Sequence, residues 1–348
     1  MPLLTDTFDA FGLDIGDRSL KAAYLTGRRS AAALKSIGAI DVPNGVFDAG
    51  ALKAPDALRE HVQKLLAVSG PKKIKTKYVH ACLPETHTFL KLLTFEGVGP
   101  EELPAAIREE LPRHVPLSPE ELYLDWAVVA PELPATSTRV LVGAIPKETS
   151  DSYTAALRRC GLVPVSLQIE AQAMLRALLP DDPEADSPFA VVDIGATRSS
   201  FVLYDRGSIQ FTVTIPVSGV AATERIANGL HLAPEEAENA KQAMGLDPQK
   251  GGGSVRAILL PLINELSGAI QKNAAFYQEH FPESRGVATV LLCGGGSLLP
   301  GLFEELQLSL PGASISHGNP GAHVESGAKL GITLPYTTAI GLALSNMR

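Results

Sequence analysis

Two aspartates, each closing an apolar run and each followed two residues later by glycine, mark where this sequence could do chemistry. In Phe189-Ala-Val-Val-Asp193-Ile-Gly195-Ala196-Thr197-Arg-Ser-Ser-Phe-Val-Leu-Tyr204 the pattern predicts a buried strand ending in Asp193, a tight turn, and a second strand from Ser199 to Tyr204. A third strand, Ser208 to Ile215, follows the turn residues Asp205-Arg206-Gly207. A carboxylate at a strand end, beside a turn of backbone N–H groups, suits an anion and its counter-cation. The amides cradle phosphate oxygens, and the carboxylate holds a magnesium ion through water. The same arrangement stands near the start, in Phe11-Gly-Leu-Asp14-Ile-Gly16-Asp17-Arg18-Ser19-Leu-Lys21-Ala-Ala-Tyr-Leu25, with a third strand from Ala31 to Ile40. The offset of 179 residues is close to half of a 348-residue chain, which reads as two similar domains. Two such turns could clamp a polyphosphate, which one cannot.

A glycine run adds a third element. Thr289-Val-Leu-Leu-Cys293-Gly294-Gly295-Gly296-Ser297-Leu-Leu-Pro300-Gly301-Leu-Phe-Glu-Glu-Leu306 reads as strand, glycine turn and helix, with Pro300 in the first helical turn. Glycines without side chains let a flat ring lie against the backbone.

Paired Asp-x-Gly turns followed by strand-Gly-Gly-Gly-helix resemble the actin-like ATPase superfamily, and within it the FtsA/PilM family, from about Phe11 to Leu344. The resemblance implies an α/β chain with a duplicated ribonuclease H-like fold, two domains around a nucleotide cleft, and a small inserted α/β subdomain. Residues 1–77 and 147–185 would form the first domain and 78–146 the insert. Residues 186–218 and 286–348 would form the second domain, and 219–285 its helical subdomain. The cofactors implied are ATP and Mg²⁺. Backbone amides of Gly16, Asp17, Arg18 and Ser19, and of Gly195, Ala196 and Thr197, would bind phosphates, with Lys21 adding a point charge. Asp14 and Asp193 would hold the hydrated metal. Gly294, Gly295, Gly296 and Ser297 would pack on adenine.

Two further sites depend on the same resemblance. Glu170 lies in the amphipathic helix predicted over Leu167–Leu178 and, by resemblance, aligns with the glutamate that orients the attacking water in relatives; by itself it reads as a surface or helix-capping acid. Glu238 and Lys241, three apart on the helix predicted from Pro234 to Met244, share one face. They read as a surface ion pair worth little or, by resemblance, as residues near ribose and adenine. One departure stands out. Asp17 occupies a position where many relatives carry Ser or Thr toward the terminal phosphate. A carboxylate about 5 Å from a phosphate charge would be repelled by about 3 kcal/mol at most, at an effective dielectric near 20.

The elements that must position these residues follow from periodicity. Ala54 to Ser69 carries Leu58, Val62, Leu65 and Leu66 on one helical stripe, closed by Gly70-Pro71. Strands are predicted at Tyr78–Leu83, Phe89–Phe95, Tyr123–Val129 and Thr138–Ile145, with a helix near Leu103–Arg113 that Pro112 should kink or stop early. Trp126, the only tryptophan, reads as a core anchor more readily than as a binding hot spot. A helix Lys147–Cys160 ends at Gly161, and short helices over Gly219–Gly229 and Pro234–Met244 each have a terminal glycine, Gly229 and Gly245. Lys250-Gly-Gly-Gly-Ser254 reads as a flexible loop. The helix after it carries Leu262, Leu266, Ile270, Tyr277 and Phe281 toward the core.

Composition narrows the function classes. The chain is 45% hydrophobic and 20% charged, with net charge −8, so nucleic-acid binding is disfavoured. The run Lys72-Lys73-Ile-Lys75-Thr-Lys77 reads as a solvated loop. Cys82, Cys160 and Cys293 have no metal-ligand spacing and read as reduced core thiols. The opening Met1-Pro-Leu-Leu-Thr-Asp6 lacks the regions of a signal peptide, and no apolar run approaches the roughly 20 residues that span a bilayer. The expectation is a cytoplasmic protein. The resemblance implies an ATP-binding scaffold of the type IV pilus inner-membrane platform, with weak or no ATPase activity. It would bind the cytoplasmic tail of PilN and, as a further partner, the pilus motor ATPase. With no amphipathic helix near Ser345-Asn-Met-Arg348, membrane contact is expected only through partners. The competing readings are an FtsA-like division protein, a small-molecule kinase, and the cytoplasmic half of a type II secretion platform protein. The kinase would need a second acid beside the acceptor, and no such motif stands out.

Overall fold

The computed structural model describes residues 9–29, 31–129, 137–179, 188–281, 284–325 and 333–347. The chain forms two compact units, Met1–Pro183 with Asn319–Arg348, and Glu184–Gly318. In the first, β1 (Phe11–Ile15) is buried throughout its length and pairs antiparallel with β2 (Ser19–Arg28), which pairs with β3 (Ala31–Asp41). A small hairpin follows, β4 (Phe47–Asp48) and β5 (Ala51–Leu52), then helix α1 (Pro55–Val68) and the short β6 (Gly70–Pro71) against β3. The other flank of β1 is filled by β7 (Tyr78–Leu83), in parallel.

Next come the strands of the insert. β8 (Phe89–Glu96), β9 (Leu122–Val128) and β10 (Ser137–Pro146) form an antiparallel sheet in the order β8-β10-β9. Helix α2 (Leu103–Glu110) packs on it through Leu103 and Ile107, which join Leu93, Phe95, Val140 and Val142 in a separate core. As Pro112 requires, α2 stops at Glu110 and a 3₁₀ turn takes Leu111–Arg113. The chain returns through α3 (Lys147–Arg159), β11 (Val163–Ile169), parallel to β7, and α4 (Glu170–Leu178). The sheet order is β11-β7-β1-β2-β3-β6.

Both faces of this sheet are covered. Leu20 and Ala22 of β2 pack with Leu58, Val62 and Leu65 of α1, whereas Ala23 and Leu25 pack with Ala339, Ile340 and Ala343.

In the second unit, β12 (Phe189–Ile194), β13 (Ser199–Asp205) and β14 (Ser208–Ile215) form an antiparallel meander. After α5 (Gly219–Leu230), α6 (Pro234–Met244) and the long α7 (Ser254–His280), β15 (Thr289–Cys293) joins β12 in parallel. Helix α8 (Leu302–Ser309) leads to β16 (Ser314–His317) beside β15. Leu262, Leu266, Ile270 and Tyr277 of α7 are buried in this unit's core, as their spacing predicts. The last helix, α9 (Thr337–Ala343), belongs to the first unit.

Several expected boundaries move. Residues 319–348, assigned from the sequence to the second domain, pack with the first unit, because α9 lies directly on β1 and α4. A Cβ at Gly12 would stand 2.1 Å from Ala339 O, and one at Gly341 would stand 1.7 Å from Ala173 O. Arg176 ties the same segment down, donating to Gly341 O and Ser345 Oγ, each at 2.9 Å. Tyr78–Leu83, assigned to the insert, is a strand of the main sheet. Leu167–Ile169, read into a helix, close β11. Gly229 lies inside α5, where a Cβ would meet Ile258 Cδ1 at 2.7 Å, and the helix cap is His231 in the left-handed region at φ 55°. Lys250–Gly253 is a 3₁₀ turn. Trp126 is 39% exposed on the outermost strand of the insert, beside Val128 at 58%, so it anchors no core. Among the described residues no helix is long and apolar enough to cross a membrane.

Candidate functional site

The first turn leaves β1 at Asp14. Gly16 N–H donates to Ser19 O at 3.0 Å and so closes the turn, which removes this amide from the expected phosphate donors. The register sets Asp14 opposite Lys21, and Lys21 Nζ lies 3.0 Å from Asp14 Oδ2, with side chains only 19% and 8% exposed. The parallel neighbour β7 supplies Cys82, which no sequence signal placed here. Its Sγ accepts from Ile15 N–H at 3.2 Å and donates to Asp14 Oδ1 at 3.4 Å. Burial above all, then the charges of Asp14 and Glu170, hold the Cys82 thiol well above its usual range, so it stays protonated and able to donate. Glu170 begins α4 where β11 ends, one strand beyond β7. Asp14, Cys82 and Glu170 therefore sit at the same ends of three adjacent parallel strands.

Asp17 is used differently from the expectation. Its Oδ1 accepts from Gly50 N–H at 3.1 Å, turning the carboxylate onto the β4–β5 hairpin. The hairpin tip is held from other sides as well. Tyr153 Oη donates to Gly50 O at 2.7 Å, and Thr86 Oγ1 donates to Ala49 O at 2.7 Å. Gly50 has φ +87°, and a Cβ there would meet Pro84 at 2.5 Å, so only glycine fits.

The second turn repeats the first. Gly195 N–H donates to Arg198 O at 3.0 Å, and the exposed Ala196 and Thr197 form the tip. Asp193 Oδ1 again faces a thiol from the parallel neighbour, Cys293 Sγ at 3.6 Å. Ser200, not a lysine, stands opposite Asp193. This turn is braced by a helix end: Ser218 caps α5, Gly219 N–H donates to Gly195 O at 3.0 Å, and Val220 N–H donates to Ala196 O at 2.8 Å.

Glu238 and Lys241 meet as predicted, at 2.7 Å, but their role is tied to this brace. Lys241 Nζ also donates to Gly219 O at 3.0 Å and Thr223 Oγ1 at 2.8 Å, linking α6 to the start of α5. Burial would push the Glu238 carboxyl up, yet hydrogen bonds from Lys241, Thr223 and Gln242 hold it below its usual range.

The glycine run packs on the same aspartate. Gly294 has φ +79°, and a Cβ there would stand 2.4 Å from Asp193 Oδ1; one at Gly296 would stand 2.4 Å from Ile194 Cγ2. These glycines are thus required by the fold itself, with Gly295 exposed between them. Ser297 is buried and donates to Gly294 O at 2.7 Å, so its hydroxyl closes the turn and is not presented outward. Pro300 precedes the α8 cap Gly301, and its carbonyl accepts from Leu246 N–H at 2.7 Å.

The donors fit a magnesium ion that keeps its water. Among the described residues no three His, Cys, Asp or Glu side chains gather into a metal cage, and Mg²⁺ beside phosphates needs only one or two carboxylates. Asp14 already carries the Lys21 ammonium.

Comparison with known proteins places this geometry. Residues 12–347 match the family model described as type IV pilus assembly protein PilM. The chain is similar to the structure of a PilM-PilN type IV pilus biogenesis complex, at 28% identity and TM-score 0.83, covering 98% of this chain and 99% of that one. It is also similar to ethanolamine utilization protein EutJ from Carboxydothermus hydrogenoformans, at 16% identity and TM-score 0.59 over 96% and 89% of the two chains. MreB 5 of Spiroplasma citri bound to AMPPNP matches at 12% identity and TM-score 0.55 over 95% and 93%. These last two likenesses show the fold alone, the actin-like ATPase fold. With the family model matched over nearly its whole length, the chain belongs to the type IV pilus assembly protein PilM family.

Proposed function

We propose that this chain is an ATP-binding scaffold of the type IV pilus assembly platform, held at the inner membrane by the cytoplasmic tail of a PilN partner. The observation that carries the partner is the likeness to the PilM-PilN complex. Its 98% coverage leaves no gap the size of the insert. The tail would lie on the insert where it adjoins α3. There Tyr123 Oη donates to Asp151 at 3.1 Å, and Lys147 Nζ lies 5.6 Å from the Tyr123 ring centroid. In the second unit, Asp193 and the exposed turn residues Ala196 and Thr197 would serve the phosphates.

Two titrations test this. A PilN-tail peptide of about a dozen residues should bind the whole protein without membrane and change the fluorescence of Trp126, and Tyr123→Ala should weaken it at least tenfold. Unchanged affinity in that variant would move the tail elsewhere. Mg-ATP at about 100 times its dissociation constant should stabilise the fold by about 2.7 kcal/mol. No rise in Tm with millimolar Mg-ATP would remove the nucleotide from the proposal.

A further inference from the structure

The longest stretch of this acidic chain that is both cationic and free of opposing charge lies in the first unit. Between Glu60 and Glu85 there is no acidic residue and there are five lysines. Four of them, Lys72, Lys73, Lys75 and Lys77, are exposed on the extended segment joining β6 to β7. The segment is fixed on its inner side. Lys72 N–H donates to Lys35 O at 3.2 Å, Ile74 is buried, Tyr78 N–H donates to Thr76 Oγ1 at 3.1 Å, and Val163 N–H donates to Lys77 O at 2.8 Å. Ile74 is buried and Thr76 Oγ1 donates to Asp9 O, while Lys73, Lys75 and Lys77 are exposed.

Lys21, Lys241 and Lys250 each pair with a carboxylate. The four lysines of this segment make no ion pair among the described residues. Next to them stands the cross-strand pair Tyr78 and Val163, 38% and 46% exposed, and Arg158 and Arg159, five and four residues before Val163 in the chain, are exposed as well. Cations ringed around an exposed tyrosine and valine match a surface that is anionic outside and apolar beneath.

The geometry points to this face as a docking surface for an anionic phospholipid bilayer, a contact made by the chain itself and additional to any PilN tether. Tyr78 and Val163 open β7 and β11, whereas Cys82 and Glu170 lie where those strands end. The face is therefore about 13 Å along β7 from Cys82 and about 23 Å along β11 from Glu170, so the candidate site stays clear of the lipid.

Vesicle flotation with the full-length protein alone, without PilN, tests it. The protein should float with phosphatidylcholine vesicles containing phosphatidylglycerol at 50 mM salt and not with pure phosphatidylcholine. It should be released at 0.5 M salt, where screening shortens the reach of the charges. Lys73→Ala/Lys75→Ala/Lys77→Ala should lower partitioning at least tenfold with Tm unchanged. The charge-matched control Lys250→Ala/Lys272→Ala/Arg285→Ala, on the second unit, should partition like wild type. Equal flotation with both vesicle types, or equal loss in both triple variants, would overturn the assignment. So would binding to heparin or DNA that exceeds binding to the anionic vesicles, which would make the face a site for a soluble polyanion.

Discussion

The two Asp-x-Gly turns share one hairpin plan and differ in what holds them. In the first unit the support is mostly side chain: Lys21 on Asp14, and Asp17 on the Gly50 amide. In the second it is mostly backbone: two amides of α5 on the carbonyls of Gly195 and Ala196, and a glycine turn pressed against Asp193 and Ile194. Position by position, Lys21 answers to Ser200, so the charge that neutralises Asp14 has no counterpart opposite Asp193. The turn and its neighbouring thiol recur in both units, while the residue opposite the aspartate changes from a lysine to a serine.

Substitutions should separate these two modes. Gly294→Ala combines a left-handed backbone with a contact against Asp193 and should destabilise the second unit by about 3 kcal/mol or more, with loss of any nucleotide-induced stabilisation. Gly16→Ala, whose nearest contact would be Ser19 O at 3.2 Å, should cost about 1 kcal/mol or less. Denaturant titrations giving equal losses would erase the distinction. Next, Lys21→Met strands a buried carboxylate and should cost about 2–3 kcal/mol, much of it recovered in Lys21→Met/Asp14→Asn. A double variant no better than the single one would mean that the ion pair does not carry the first turn.

Smaller effects sharpen the picture. Asp17→Ser removes the acceptor of the Gly50 amide and should cost about 1 kcal/mol, while shifting ATP and ADP affinities alike at high and low Mg²⁺. A selective gain for ATP would put the carboxylate at the terminal phosphate after all. The smallest change is expected from pH. The folded-state pKa of Glu238 lies below its ordinary 4.5, so its contribution is present above that value and is lost as pH falls through the depressed one. Between pH 6 and 3 the stability of Glu238→Gln should fall less steeply than that of the wild type. Parallel curves would detach this pair from the brace of the second turn.

The repeat, the turns and the strands of the insert could be read from the sequence because alternation and turn residues are local. What packs across them is not local. Cys82 lies 68 residues after Asp14, and Cys293 lies 100 after Asp193, so no common spacing betrays the shared thiol. Trp126 looked like a core residue because apolar type predicts burial only on average, and an outermost strand leaves its side chain partly uncovered. Asp17 was read from its place in a motif, whereas its orientation depends on a hairpin tip 33 residues away. The hydroxyl of Thr223, central to the Glu238–Lys241 pair, lies on a different helix from both.

The placement of α9 on β1 has a consequence for the order of synthesis. Gly12 and Ala339 are in direct contact, yet more than three hundred residues separate them. At about 5–20 residues per second, a ribosome needs roughly 15–65 s to deliver the second after the first. Throughout that interval Ala23, Leu25 and Leu34 lack the helix that covers them in the finished protein, and Glu184–Gly318 is completed before that helix is made. A chain interrupted between Gly318 and Thr337 would therefore hold all of the second unit and a first unit with an open apolar face.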